Sequence, residues 1–236
     1  IIRTSSDYKG KVTVRLLSSE GKILSSETLD IINGGEWNDV KKTLTAVGHD
    51  SKGRLALEFD SPGTVWVDYV SLFPENTFNN RPNGLRRDVA EMLVGLKPAF
   101  FRWPGGCVVE GITLDNRFEW KKTLGDPAAR PGEYSTWGYR CSYGFGYYEM
   151  LQFCEDIGAK AMFVCNVGLG CQFRMGDACG EHDIDFYIDD CLDAIEYALG
   201  DESTEWGARR AADGHPAPFP LQYVEIGNEN WGAEYD

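Results

Sequence analysis

The sequence predicts an α/β protein in which a β-sandwich or jelly-roll module, residues 1–75, precedes part of a (β/α)8 barrel, residues 76–236. Three observations predict it. Short alternating runs separated by turn signals fill the first third, with no helical period among them. From Pro74 onward, helical stretches alternate with apolar strands. Each of those strands is a near-continuous apolar run, as parallel strands covered on both faces require.

In the first module, residues 11–17, 55–59 and 64–72 are β-branched or aromatic runs. Turn signals at Ser19-Glu-Gly21, Asn33-Gly-Gly35 and Ser61-Pro-Gly63 separate them. Strands this short and evenly spaced fit a sandwich or jelly roll. Trp37 and Trp66 are expected in its core, with stacking on sugar rings as the alternative.

In the second part, Leu85, Val89, Met92, Leu93 and Leu96 fall at helical spacing, and Pro98 follows the stop. Residues 99–103 read as a strand ending at Pro104-Gly-Gly106. Residues 147–157 read as a helix with Gly158 as its C-cap. A strand at 160–166, a long helix at 183–199 and a strand at 221–226 follow. A whole barrel takes about 250 residues. Three strand–helix units are less than half of one, so the chain reads as a segment of a longer protein. The rival architecture, a doubly wound sheet, wants a glycine-rich phosphate loop after its first strand. Arg102-Trp-Pro-Gly-Gly-Cys107 instead has proline where a backbone N–H is needed.

Composition narrows the partners. At 236 residues with a net charge of −14, the chain is a poor match for nucleic acid or an anionic membrane surface. No apolar stretch approaches the roughly 18 residues of a membrane-spanning helix. The seven cysteines include no Cys-x-x-Cys pair and no histidine at ligand spacing, so no metal or cofactor is expected. Reduced, buried thiols are the expectation, with a bridge among Cys165, Cys171 and Cys179 left open.

Three strand ends carry the candidate site residues. The turn after the first barrel strand offers Arg102, a fork of donors, with Gly105 and Gly106 exposing backbone, then Cys107 and Glu110. Asn166 ends the second strand, either to hold a hydroxyl or to cap its loop. The third strand ends at Gly227 and delivers Asn228 and Glu229 side by side. A carboxyl beside an amide at the C-terminal end of a barrel strand suits a glycosidase general acid/base. Glu225, within that strand, is expected to pair with Arg102 beneath the site. The long loop 120–148 brings Trp137, Tyr139, Tyr143, Phe145, Tyr147 and Tyr148, flat rings suited to lining a sugar cleft.

Several of these motifs together resemble the family 51 glycoside hydrolases, the α-L-arabinofuranosidases. The resemblance rests on Phe100-Phe-Arg-Trp-Pro-Gly-Gly-Cys-Val-Val-Glu-Gly111, Arg130-Pro131, Trp137-Gly-Tyr139, Thr204-Glu-Trp-Gly207, Gly214-His-Pro216 and Tyr223-Val-Glu-Ile-Gly-Asn-Glu-Asn230. It runs from about Pro74 to the end, and the first 75 residues resemble the carbohydrate-binding-like module of one branch of that family. The resemblance implies a retaining, metal-free enzyme, with Glu229 as acid/base and Asn228 holding the sugar 2-hydroxyl. It further implies that Arg102 and the Gly105-Gly106-Cys107 turn line the arabinose subsite, where other branches carry Asn at the Cys107 position. On this reading the three strands are about strands 2–4 of the barrel. The nucleophile lies beyond residue 236, and the segment alone is expected to be inactive. The implied partner is an arabinose-containing oligo- or polysaccharide, the implied location is extracellular or periplasmic, and family members are often homo-oligomers. Two other readings stay open: a non-catalytic carbohydrate-binding protein, or another retaining barrel glycosidase such as a xylosidase or endoglucanase.

Overall fold

The computed structural model describes residues 1–232 and combines α-helices with β-sheets in two compact units, Ile1–Leu72 and Phe73–Asp236.

The first unit contains two three-stranded antiparallel sheets. One places β1 (Ile2–Thr4) between β4 (Trp37–Asn38) and β6 (Val65–Val67). The other places β2 (Val12–Leu17) between β3 (Ile23–Leu29) and β5 (Arg54–Phe59). A small core forms around Ile2, Tyr8 and Val12. The expected strand at 64–72 is shorter than its composition suggests, because its partner β1 offers only three residues to pair with.

Trp37 and Trp66 correct the core expectation: they are 47% and 41% exposed. The register explains it. Ile2 and Thr4 of β1 point inward and are buried, so Arg3 points outward, and both tryptophans stand opposite Arg3. Its guanidinium lies 5.0 Å from the Trp37 ring and 4.3 Å from the Trp66 ring, a cation–π stack at the surface.

The second unit is built on a parallel sheet in which β10 (Lys160–Cys165) lies between β7 (Phe100–Trp103) and β11 (Leu221–Ile226). Helix α1 (Arg87–Gly95) precedes β7, and α3 (Tyr147–Ile157) carries the chain from β7 to β10. Between them lie the single turn α2 (Cys107–Glu110) and a small hairpin of β8 (Glu133–Tyr134) and β9 (Arg140–Cys141). Helices α4 (Ile184–Leu199) and α5 (Glu205–Ala212) precede β11.

Local rules account for most of these boundaries. Gly158 takes the left-handed conformation at φ 70° and stops α3, as a C-cap glycine does. At the other end of α3, the Glu149 carboxylate accepts the Gly146 N–H at 2.8 Å while Arg130 pairs with it at 2.7 Å. Helix α5 escapes a search for apolar periodicity because much of its inward face is arginine. Arg210 is fully buried and donates to the carbonyls of Tyr197, His215 and Pro216. Thr204 caps it by accepting the Gly207 N–H.

The core gathers Trp120, Tyr147, Met150, Leu151, Phe163 and Tyr197 around α3, α4 and the sheet. Tyr147 donates its hydroxyl to the Ala194 carbonyl at 3.0 Å, and Trp120 its indole N–H to that of Asp190 at 3.0 Å. Tyr147, one of the rings expected to line a cleft, is therefore packing, whereas Tyr143, almost as buried, lines a cavity with Tyr139 and Phe145 beside Trp103. The parallel register aligns Trp103 with Phe163 and Cys165 with Ile226, so all three strands end on one edge.

Candidate functional site

That edge gathers Arg102, the Pro104-Gly-Gly106 turn, Asn166 and the Asn228-Glu229 pair. Arg102 donates through Nε to Glu225 Oε2 at 2.5 Å and through Nη2 to Glu225 Oε1 at 2.6 Å. This bidentate fork joins the first and third strands of the sheet. Both side chains are 35% exposed, so the pair is half-open to solvent where the sequence suggested burial. The guanidinium holds the Glu225 carboxyl below the usual carboxylate range.

Asn228 sits at the centre and is 4% exposed. Its Oδ1 accepts from Arg102 Nη2 at 2.7 Å and from the Gly106 N–H at 3.0 Å. Both partners are donors only, which settles which way the amide faces. Its Nδ2 donates to Glu110 Oε1 at 3.2 Å. An amide nitrogen carries two hydrogens, so one has no partner among the described residues.

The glycines are needed for this arrangement. Gly105 and Gly106 adopt φ 67° and 64°. A Cβ on Gly105 would meet Arg102 Nη1 at 2.2 Å, and that guanidinium is pinned on its other sides. Gly227 turns the chain at φ 74°, and its missing Cβ leaves room for Asn230 Oδ1, which caps the Asn228 N–H at 2.8 Å.

Glu229 is exposed, and its backbone is left-handed at φ 48°. That conformation costs a non-glycine residue about 1–3 kcal/mol and tends to occur where function demands it. Beside it, Trp231 is held by Gln172, which accepts the Trp231 N–H at 2.7 Å and donates to its carbonyl. The Trp231 ring stands edge-on to Phe173 at 4.7 Å.

Glu110 lies at the bottom of the group, 3% exposed. Burial pushes its carboxyl up to about 6, opposed by the Asn228 hydrogen bond and reinforced by the charge of Glu229. Cys107 is buried beside it at the start of α2, with Cys171 close by. All seven cysteines are unbridged, including Cys165, Cys171 and Cys179.

Two predicted residues stand apart from this network. Asn166 donates through Nδ2 to the carbonyls of Val109 (3.1 Å) and Leu169 (3.0 Å) and accepts the Gly168 N–H at 2.6 Å. Both its donors hold backbone. Trp137, at the tip of the β8–β9 hairpin, is 60% exposed and meets the Arg174 guanidinium at 5.6 Å. Sequence reasoning missed Cys171, Gln172 and Asn230. Their contacts join segments far apart in the chain or within a turn, and no periodicity marks them.

By fold and site, the second unit is an α/β protein with an acid-bearing cluster at the carboxyl ends of parallel strands. Comparison with known proteins names the family. Residues 92–236 match the family model described as the alpha-L-arabinofuranosidase 1 domain. The chain is 37% identical over 99% of its length to Alpha-L-arabinofuranosidase 2 of Arabidopsis thaliana, covering 34% of that protein. It is also 37% identical over 92% of its length to the extracellular exo-alpha-L-arabinofuranosidase of Streptomyces chartreusis, covering 27% of it. Among solved structures, an arabinose-bound GH51 α-L-arabinofuranosidase superposes with a TM-score of 0.90 at 35% identity, over 97% of this chain and 37% of that one. The chain belongs to the family 51 α-L-arabinofuranosidases. It spans about a third of the length of the curated relatives it matches.

Proposed function

We propose that the full-length protein is a retaining glycoside hydrolase that releases terminal α-L-arabinofuranosyl residues from arabinose-containing oligo- and polysaccharides. The observation that carries this reading is the tip of β11, where Asn228 is locked with one N–H to offer and Glu229 stands free beside it. Glu229 protonates the glycosidic oxygen as the C–O bond breaks, then takes a proton from the water that attacks the glycosyl-enzyme. Asn228 donates its remaining N–H to a ring hydroxyl. Arg102, Gly105, Gly106 and Cys107 shape the floor of the subsite. Glu110 supports it from below.

A retaining pair of carboxylates stands about 5 Å apart. Glu110 and Glu225 are already committed to Asn228 and Arg102, so the nucleophile is assigned to another part of the full-length protein, and residues 1–236 alone are expected to be inactive. In the same reading β7, β10 and β11 are about strands 2–4 of a (β/α)8 barrel, and the first unit is a carbohydrate-binding-like sandwich or jelly-roll module. An extracellular or periplasmic location and a homo-oligomer complete it. The Streptomyces relative is named extracellular. Among the described residues no helix is long and apolar enough to cross a membrane.

Turnover of 4-nitrophenyl α-L-arabinofuranoside by the full-length protein tests this, with Glu229→Ala alongside. The variant is expected to lose about 10²–10⁴ in rate and to regain part of it with azide. A full-length protein that binds arabino-oligosaccharides but turns nothing over would establish the binding-protein alternative instead.

A further inference from the structure

Below Asn228 three side chains converge whose chemistry hydrolysis does not use. Cys107 and Glu110 stand one helical turn apart on α2, and Cys171 reaches them from the loop after β10. They are 8%, 3% and 2% exposed, and their sulfur and oxygen donor atoms all lie within 4.8 Å of one another. Glu110 Oε1 holds Asn228, and Oε2 is buried with no partner among the described residues beyond the neighbouring Cys171 thiol, a weak donor. A buried carboxylate whose second oxygen has only a thiol for company is costly, and a cation, a proton or a water would offset that cost.

We propose that Cys107 Sγ, Cys171 Sγ and Glu110 Oε2 form a binding site for a thiophilic divalent cation of the zinc class. Two soft sulfurs and one oxygen suit such an ion and do not suit magnesium or calcium, which take oxygen alone. Ligand atoms about 2.0–2.3 Å from a tetrahedral zinc stand about 3.3–3.8 Å from one another. Starting within 4.8 Å, the three need to close by at most about 1.5 Å. The fourth position stays open for water.

The charges and contacts balance. Each thiol releases its proton to solvent on binding, and two thiolates and a carboxylate around a dication leave one negative charge. Glu110 keeps Oε1 on Asn228, which becomes the outer partner that orients the ligand. No Cys-x-x-Cys pair marks this group, because its motif is Cys-x-x-Glu, completed by Cys171 from another loop. The site shares Cys107 and Glu110 with the proposed subsite, but its geometry and its spectroscopic test stand whether or not the protein is a hydrolase.

The test is a Co²⁺ titration of the full-length protein, reduced and freed of metal with a chelator. One equivalent is expected to bind with thiolate-to-cobalt charge-transfer absorption and intense tetrahedral bands. About two protons should be released per ion, and Zn²⁺ should displace the cobalt. Cys171→Ser is expected to remove about half the charge-transfer intensity and weaken binding at least about tenfold. Glu110→Gln, which keeps both thiols should the first variant fail to fold, is expected to weaken binding while preserving that absorption. Cys179→Ser should leave the spectrum unchanged. An absent charge-transfer band, a spectrum indifferent to Cys171→Ser, or a Cys107–Cys171 disulfide in the protein as isolated would each overturn the proposal.

Discussion

Asn166 and Asn228 end adjacent parallel strands, one residue after β10 and two after β11, yet they do opposite things. Asn166 turns both its donors onto carbonyls and accepts a main-chain N–H of its own loop. Asn228 is held by Arg102, Gly106 and Glu110, all distant in sequence, and keeps one N–H unassigned. The same residue type in nearly the same place is a loop brace in one strand and an oriented donor in the next. What separates them is who their partners are. Asn166 spends both donors on main-chain carbonyls, Leu169 in its own loop and Val109 in α2, and so braces backbone; Asn228, held by three other segments, keeps one N–H uncommitted.

The sharpest way to break this contrast is Asn228→Ala in the full-length protein. Removing an oriented donor at a reacting centre costs about 10²–10³ in rate, and kcat/KM on an aryl arabinofuranoside should fall by that much. A loss under tenfold would return Asn228 to the same status as Asn166. Asn166→Ala should show the reverse pattern. Its three bonds are worth about 1–3 kcal/mol of stability, read as a lower urea midpoint, while kcat/KM of the folded enzyme changes far less than in Asn228→Ala.

Gly105→Ala sharpens the comparison from the partner's side. The added methyl sits at positive φ, a cost of about 1–2 kcal/mol, and it displaces the Arg102 guanidinium from Asn228. Thermal melts and turnover should fall together, whereas a variant with unchanged KM and kcat would mean that Arg102 does not aim the amide. The smallest effect concerns pH. Arg102 lowers the Glu225 carboxyl from its ordinary value of 4.5, so its contribution to stability is present above that pH and is lost as pH falls through the folded value. The pair is partly exposed, and after solvent screening it is worth about 1 kcal/mol or less. Melting temperatures followed from about pH 6 down to about pH 3 should therefore drop slightly more for the parent than for Glu225→Gln. Parallel curves would show the pair to be electrostatically idle.

How much was legible follows from the range of the forces involved. Helix α3 and strand β11 match the readings 147–157 and 221–226 residue for residue, because a capping glycine and an uninterrupted apolar run are local signals. Helix α5 was not legible, since Arg210 is buried by bonds to carbonyls that the sequence cannot show as inward-facing. Trp37 and Trp66 were misread because hydrophobicity alone does not say which face of a two- or three-residue strand is covered.

The sequence by itself therefore determined the alternation of helices and apolar strands, the glycine turns, and the placing of Arg102, Asn166 and Asn228-Glu229 at strand ends. Those are properties of residues within a few positions of one another. Tertiary structure alone decided that Glu110 reaches Asn228, that Cys171 meets Cys107, and that one asparagine is aimed while the other braces a loop. Each of these depends on hydrogen bonds and packing between segments tens of residues apart, and only the parallel register brings those segments together.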